Sequence, residues 1–234
     1  MKTYKVAILG ATGAVGQEML KILMERDFPV SELHLLASAR SAGKKITVAG
    51  KEYTVEETTE NSFDGMDIVL GAAENDIAEK YLPIAAAKGA IVVDNSSAFR
   101  LHEDVPLIVP EVNPQAVREH HGIIANPNCA TIIALVALQP LHAYANAKRM
   151  VVSTYQAVSG AGVNGIRELN QQVGALAHGK EVEVNTFQYQ IAYNLIPQIG
   201  GFNEAGYSSE EMKMQNEGRK IMGNPELCVN CTCI

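Results

Sequence analysis

Short apolar runs alternate with helical periodicity along the first half of the chain. Val6-Ala7-Ile8-Leu9, Leu33-His34-Leu35-Leu36, Ile68-Val69-Leu70, Ala90-Ile91-Val92-Val93 and Ile123-Ile124-Ala125 each read as a short buried strand. Met19, Leu20, Ile22 and Leu23 recur at helical spacing between Glu18 and Arg26, and an Ala-rich helix is expected from Ile77 to Ala87. The alternation predicts an α/β fold with a mostly parallel sheet covered on both faces. The texture changes near residue 128. A helix is expected from Cys129 through the apolar run Ile132 to Leu138, and Met150 to Val158 alternates like a strand, which would put Gln156 on one side with Thr154 and Val158. Gly160 to Gly162 opens another helical stretch, residues 185–207 read as irregular, and Ser208 to Met222 reads as a polar helix. The expected domains are 1–128 and 129–234, the second of α+β type.

Composition narrows the field. Hydrophobic residues make up 47% and charged residues 19% of 234 positions, a globular balance. A net charge of −7 argues against nucleic acid or an anionic membrane as partner, so any anionic ligand must be met by local positive groups. No run approaches the ~20 apolar residues of a membrane span. Met1-Lys2-Thr3-Tyr4-Lys5 leads straight into a strand, unlike an export signal. Four cysteines at this length make no disulfide framework, so reduced thiols and a cytoplasmic location are expected.

Gly10-Ala11-Thr12-Gly13-Ala14-Val15-Gly16 follows the first strand and opens the first helix. Such a turn lets backbone approach a pyrophosphate while the helix N-terminus supplies N–H donors, which makes the sheet Rossmann-like. The spacing is G-x-x-G-x-x-G, not the commoner G-x-G-x-x-G, and a plain strand–helix turn is the alternative. An NAD site usually ends its second strand with an acid for the ribose 2′-hydroxyl. Here the chain continues Leu36-Ala37-Ser38-Ala39-Arg40-Ser41-Ala42-Gly43 without a carboxylate, and Glu32 lies at the wrong end of the strand. Ser38, Arg40 and Ser41 suit a 2′-phosphate, so NADP is expected over NAD; a solvated loop charge is the other reading of Arg40.

Cys129 stands in Asn126-Pro127-Asn128-Cys129-Ala130-Thr131, directly before the apolar run. Asn128 is a good N-cap, which places Cys129 on the first turn of the helix. The positive helix end favours thiolate, and a thiolate can attack a carbonyl. The alternative is a small buried residue packing a helix on a sheet.

Six segments in one order carry a resemblance: the glycine turn, Ser38 to Gly43, Asp94-Asn95-Ser96-Ser97-Ala98-Phe99-Arg100, Val109-Pro110-Glu111-Val112-Asn113, Asn126 to Thr131, and Gln156-Ala157-Val158-Ser159-Gly160-Ala161-Gly162. Over nearly the whole chain the set closely resembles aspartate-semialdehyde dehydrogenase. The resemblance implies a homodimer or homotetramer that uses NADPH to reduce aspartyl 4-phosphate to aspartate 4-semialdehyde, feeding lysine, methionine and threonine synthesis. It implies that Cys129 attacks the acyl phosphate, that phosphate leaves, and that hydride reaches the resulting thioester. Gln156 matches a substrate-positioning glutamine, and Ser159 and Gly160 match a contact near the nicotinamide. Arg100 and Asn128 match phosphate contacts. Glu210 and Lys213 share a helix face and match the pair that holds the substrate amino group and the phosphate, with Glu211 an adjacent competitor. The cofactor set is Gly10, Ala11, Thr12, Gly13, Ala14, Val15, Ser38, Arg40, Ser41, Ser159 and Gly160; no metal is expected.

The chain also departs from the family. The family's acid/base His and its substrate-carboxylate Arg follow a Cys-Val-Arg-Val-Pro strand, whereas this sequence reads Leu227-Cys228-Val229-Asn230-Cys231-Thr232-Cys233-Ile234 and stops. His34, His102, His120, His121, His142 and His178 all lack the matching context, so no catalytic His is carried over. The expectation is an incomplete chain, inactive or nearly so alone, because general acid–base help is worth roughly 10²–10⁴-fold. Cys228, Cys231 and Cys233 have no fourth zinc ligand nearby, and a strand with Cys231 and Cys233 on one face is expected instead. Glu74 stands where the family tends to carry a Gly- and Ser-rich turn, and would weaken phosphate binding. The rivals are an N-acetyl-glutamyl-phosphate-reductase-like enzyme, disfavoured by Asn128-Cys129-Ala130 where that enzyme has Gly-Cys-Tyr, and a non-catalytic NADP-binding or partner-binding homologue. A glyceraldehyde-phosphate-dehydrogenase-like enzyme would need an acidic NAD selector and Ser-Cys-Thr-Thr, and neither is present.

Overall fold

The computed structural model describes residues 2–234 and divides into two compact units, Met1–Pro127 and Asn128–Ile234. The first contains β1 (Tyr4–Leu9), α1 (Ala14–Glu25), β2 (Val30–Ala37), β3 (Lys45–Val48), β4 (Lys51–Glu57), β5 (Ile68–Gly71), α2 (Asn75–Ala87), β6 (Ile91–Asp94) and β7 (Ile123–Ala125). Seven strands form one sheet in the order β3-β4-β2-β1-β5-β6-β7. All neighbours are parallel except β3 and β4. The expected mostly parallel, Rossmann-like sheet is therefore present.

β1 is central, hydrogen-bonded to β2 and β5, which explains its unbroken apolar run: Val6 to Leu9 are all at most 1% exposed. Ile8, Leu35, Ala37 and Val55 pack with Ala11 and Leu20 into one core, joined by Met19 and Leu23. The helical spacing of Met19, Leu20 and Leu23 is what turns one face of α1 onto that core. The β3–β4 hairpin is absent from the expectations above, although Ile46 and Val48, and Tyr53 and Val55, alternate with polar residues as half-buried strands do. It forms the charged rim of the sheet, with Lys45 Nζ 2.5 Å from Glu52 Oε1. The opposite rim is β7, only three residues long.

The second unit contains α3 (Cys129–Ala145), β8 (Arg149–Thr154), α4 (Gly162–Ala177), α5 (Ser209–Ile221) and β9 (Cys228–Cys233). β8 and β9 pair in parallel, from Arg149↔Cys228 to Thr154↔Cys233. Along β9, Val229, Cys231 and Cys233 are buried while Cys228, Asn230 and Thr232 are exposed, so Cys231 and Cys233 share the inner face. α5 packs against α3 and β9. The strand expected over Met150 to Val158 is corrected: β8 ends at Thr154 and residues 155–157 form a loop. Val158 does not continue it; Val158–Ala161 is a 3₁₀ turn, and α4 begins at Gly162.

Residues 185–207 are irregular but tied down. Glu168 and Gln172, both buried in α4, capture backbone N–H groups: Asn185 and Thr186 donate to Glu168 Oε2, and Ile191 and Ala192 donate to Gln172 Oε1. A buried carboxylate and amide thus replace the ladder that the segment lacks. Among the described residues no helix is long and apolar enough to cross a membrane.

Candidate active site

Asn128 is the N-cap of α3. Its Oδ1 accepts from the N–H groups of Ala130 at 3.0 Å and Thr131 at 3.2 Å, as the sequence predicts for a cap. Cys129 follows as the first helical residue and is exposed, unlike the packed cysteine of the alternative reading.

The Asn128 amide has a second engagement. Its Nδ2 donates to Glu210 Oε1 at 2.8 Å, and Gln156 Nε2 donates to the same oxygen at 3.0 Å. Lys213 Nζ reaches Glu210 Oε2 at 3.1 Å, one turn along α5. Asn128, Gln156, Glu210 and Lys213, scattered in sequence, therefore meet in one cluster beside Cys129. Glu210 is 5% exposed. Burial alone would raise its carboxyl pKa, but hydrogen bonds from Gln156 and Asn128 and the Lys213 charge outweigh that and hold it below the ordinary carboxylate range. Glu211 is otherwise occupied, closing a capping box with Ser208 at the start of α5. Gln156 lies in the loop after β8 and still keeps the side of Thr154, whose Oγ1 donates to Gln156 Oε1 at 2.9 Å. Ser159 and Gly160 sit exposed in the 3₁₀ turn before α4.

Two further residues of this cluster carry no motif signal. Thr154 is one. Glu217 is the other, accepting the backbone N–H of Asn128 at 2.6 Å. Its placement two helical turns beyond Glu210 is the sole cue in the sequence.

In the first unit, Gly10 to Val15 form the turn from β1 into α1. The N–H groups of Gly10 and Ala11 both donate to Leu36 O, at 2.9 and 3.1 Å, which ties the turn to the end of β2. Gly10 has φ +87°, and a Cβ there would lie 2.5 Å from Ala72 O. At Gly16 a Cβ would lie 2.8 Å from Ala11 Cα, so both glycines are demanded by the fold. Gly13 is different: its φ is −78°, and a Cβ would meet only Gly10 O at 3.4 Å. No side chain caps α1. Its first-turn N–H groups have no partner within the helix, which suits a phosphate.

Ser38 and Arg40 are exposed just past the end of β2, while Ser41 is 7% exposed, its hydroxyl 3.4 Å from Lys44 Nζ. The unforeseen β4 brings two acids to this edge, since Glu56 and Glu57 register with Leu36 and Ala37. Glu56 is engaged by His34 at 3.0 Å. Glu32 pairs with Lys5 at the far end of β2. Glu74 is exposed at the start of α2. Arg100, 7% exposed, donates from Nη2 to Asn95 O at 2.9 Å, and Asn126 Nδ2 holds Asn95 Oδ1 at 2.8 Å. Asp94, fully buried, accepts from the Ser96 hydroxyl at 2.6 Å; burial pushes its carboxyl pKa up.

Residues 5–120 match the family model described as "Semialdehyde dehydrogenase, NAD binding domain", and residues 138–234 match "Semialdehyde dehydrogenase, dimerisation domain". An aspartate-semialdehyde dehydrogenase of Aquifex aeolicus is 52% identical over 235 residues, 99% of this chain and 69% of that protein. The solved structure of aspartate semialdehyde dehydrogenase II from Vibrio cholerae, complexed with ASA, is 49% identical with a TM-score of 0.97, covering 100% of this chain and 70% of that one. The Candida albicans enzyme, solved with NADP, is 26% identical with a TM-score of 0.71, covering 99% of this chain and 67% of that one. With a nucleotide-binding sheet, an exposed cysteine on a capped helix start and relatives of this similarity over its whole length, the chain belongs to the aspartate-semialdehyde dehydrogenase family.

Proposed function

We propose that the cysteine site on this chain serves its family's oxidoreductase reaction in the direction of synthesis, the reduction of aspartyl 4-phosphate to aspartate 4-semialdehyde with NADPH. The step would supply lysine, methionine and threonine synthesis, in the cytoplasm, from a homodimer or homotetramer. The observation that carries the reading is Cys129, exposed on the first turn of α3 and flanked by the Asn128–Glu210–Gln156–Lys213 cluster.

Cys129 Sγ attacks the acyl carbon, the C–O bond to phosphate breaks, and a thioester remains. Gln156 positions the acyl group, held by Thr154 and Glu210. Glu210, ionised above acidic pH, suits the substrate ammonium. Lys213 and the amide of Asn128 suit the phosphate, and Arg100 is proposed for phosphate on the strength of its forked donor set.

The residues fit a dinucleotide. Gly13 leaves open the space a Cβ would fill, and the uncapped start of α1 offers N–H donors to a pyrophosphate. Gly10 to Val15 would hold that group, Ser38, Arg40 and Ser41 the 2′-phosphate, and Ser159 and Gly160 the nicotinamide half. Bound there, NADPH would supply the hydride that reduces the thioester. The NADP-bound Candida albicans relative supports this choice of cofactor.

Intact-protein mass spectrometry after mixing with aspartyl 4-phosphate tests the proposal. An acyl adduct on Cys129, absent from Cys129→Ser, is the expected result. No adduct on the unaltered chain would sink it.

A further inference from the structure

A helix start leaves the N–H of its N-cap residue without an intrahelical partner, and a Glu at the third helical position commonly accepts it. α5 does this for itself with Ser208 and Glu211. α3 cannot, because its third position is Thr131, whose buried hydroxyl has no hydrogen-bond partner. The missing acceptor comes from another helix: Glu217 of α5, 89 residues away in sequence, takes the Asn128 N–H at 2.6 Å.

Glu217 is 2% exposed. Burying a carboxylate is costly unless it is strongly hydrogen-bonded, and the short bond to Asn128 is of the charge-assisted kind. The positive start of α3 adds to its stabilisation. Asn128 is thereby held at three points: its N–H by Glu217, its Nδ2 by Glu210, and its Oδ1 by the first turn of α3. The next residue in the chain is Cys129. We propose that Glu217 is a positioning residue for the nucleophile, completing in trans the cap of α3 and so fixing where the turn bearing Cys129 begins. The inference rests on the reading of Cys129 as nucleophile. Glu217 itself contacts the Pro127–Asn128 peptide, one residue before Cys129, and acts through Asn128.

The test uses the whole 234-residue chain. Two readouts are followed in Glu217→Ala and Glu217→Gln: hydrogen exchange of the Asn128 amide, and the rate of adduct formation on Cys129 against aspartyl 4-phosphate concentration. Gln keeps an acceptor oxygen; Ala has none. Expected for Glu217→Ala is Asn128 exchange more than tenfold faster and a maximal adduct rate at least tenfold lower, with the half-saturating concentration within threefold. Glu217→Gln should restore both rates to within threefold. A purely structural Glu217 would reduce the fraction of chain that reacts and leave the rate of the folded fraction unmoved, and that result overturns the proposal. So does Asn128 exchange unchanged in Glu217→Ala. If Glu217→Ala does not fold, Glu217→Asp, one methylene short of the amide, must accelerate Asn128 exchange more than tenfold. If the unaltered chain forms no adduct, the nucleophile reading fails, and Asn128 exchange alone decides whether Glu217 anchors the turn.

Discussion

Gln156 and Glu210, 54 residues apart in sequence, are joined by a hydrogen bond of 3.0 Å from Nε2 to Oε1. Glu210 is the acceptor around which the cluster closes, since Asn128 and Lys213 donate to it as well. Glu210→Ala would orphan the buried Asn128 Nδ2 and leave Gln156 Nε2 without this acceptor. The expected cost is roughly 2–6 kcal/mol in urea unfolding, from about 1–3 kcal/mol for each of the two donors. A loss below about 0.5 kcal/mol would show that water replaces the carboxylate freely.

Acid should loosen the second unit through two carboxylates. In Glu168, burial works against the charge, but the Thr186 hydroxyl and the N–H groups of Thr186, Asn185 and Phe187 more than compensate, and hold the folded pKa below the ordinary carboxylate range. Glu210 is shifted the same way. A carboxyl with a depressed folded pKa contributes stability above its unfolded pKa and loses it as pH falls through the folded one. The thermal midpoint is therefore expected to hold above about pH 5 and to drop as pH falls below about 4.5. Glu168→Gln should flatten part of that slope; an unchanged slope would remove Glu168 from the account.

The glycines of the nucleotide turn should separate by role. Gly16→Ala places a Cβ 2.8 Å from Ala11 Cα, and overpacking of that kind costs about 1–3 kcal/mol, read as a lower melting temperature. Gly13→Ala meets nothing closer than 3.4 Å, so the fold should be unaffected. Its NADPH affinity should fall at least tenfold by calorimetric titration. Equal affinity in Gly13→Ala and the unaltered chain would remove the phosphate role from the turn.

Arg40→Ala should distinguish the two nicotinamide cofactors. A hydrogen bond to a charged group is worth about 1.5–3 kcal/mol, so NADPH binding is expected to weaken about 10–150-fold while NADH binding stays level. Parallel losses for both cofactors would assign the 2′-phosphate elsewhere.

The four thiols should react in two classes. Cys129 and Cys228 are exposed, whereas Cys231 and Cys233 are buried. Burial also pushes the Cys231 thiol up to about 12, keeping it protonated and inert at neutral pH. A disulfide reagent on the native chain is expected to label two thiols quickly and the other two only on unfolding. Cys129→Ser should remove one fast equivalent.

Patterns that depend on near neighbours were legible in the sequence. The parallel strands announce themselves as apolar runs because both their faces are covered, and Asn128 reads as a cap because the N–H groups it accepts from lie two and three residues on. The Glu210–Lys213 pair follows from helical spacing. What escaped were relations between distant segments. Nothing local to Glu217 points to Asn128, and nothing in Glu168 or Gln172 names the loop they hold. The β3–β4 hairpin escaped because its signal is a short polar–apolar alternation rather than an apolar run, and with it went the acids Glu56 and Glu57 beside the end of β2. The alternation that marks β8 runs on through the loop 155–157 to Val158, which belongs to a 3₁₀ turn, so period alone overstates the strand.

One rim of the nucleotide-binding sheet is a four-residue strand tipped with Lys45; the other is a three-residue strand already covered by residues 106–108, whose backbone exchanges hydrogen bonds with Ala125. Exposed strand rims are the templates on which foreign chains dock to build fibrils, and brevity and lysine are what frustrate that growth. The nucleotide-binding unit is thus guarded against polymerising through its own backbone, even where crowding in solution forces copies into frequent collision.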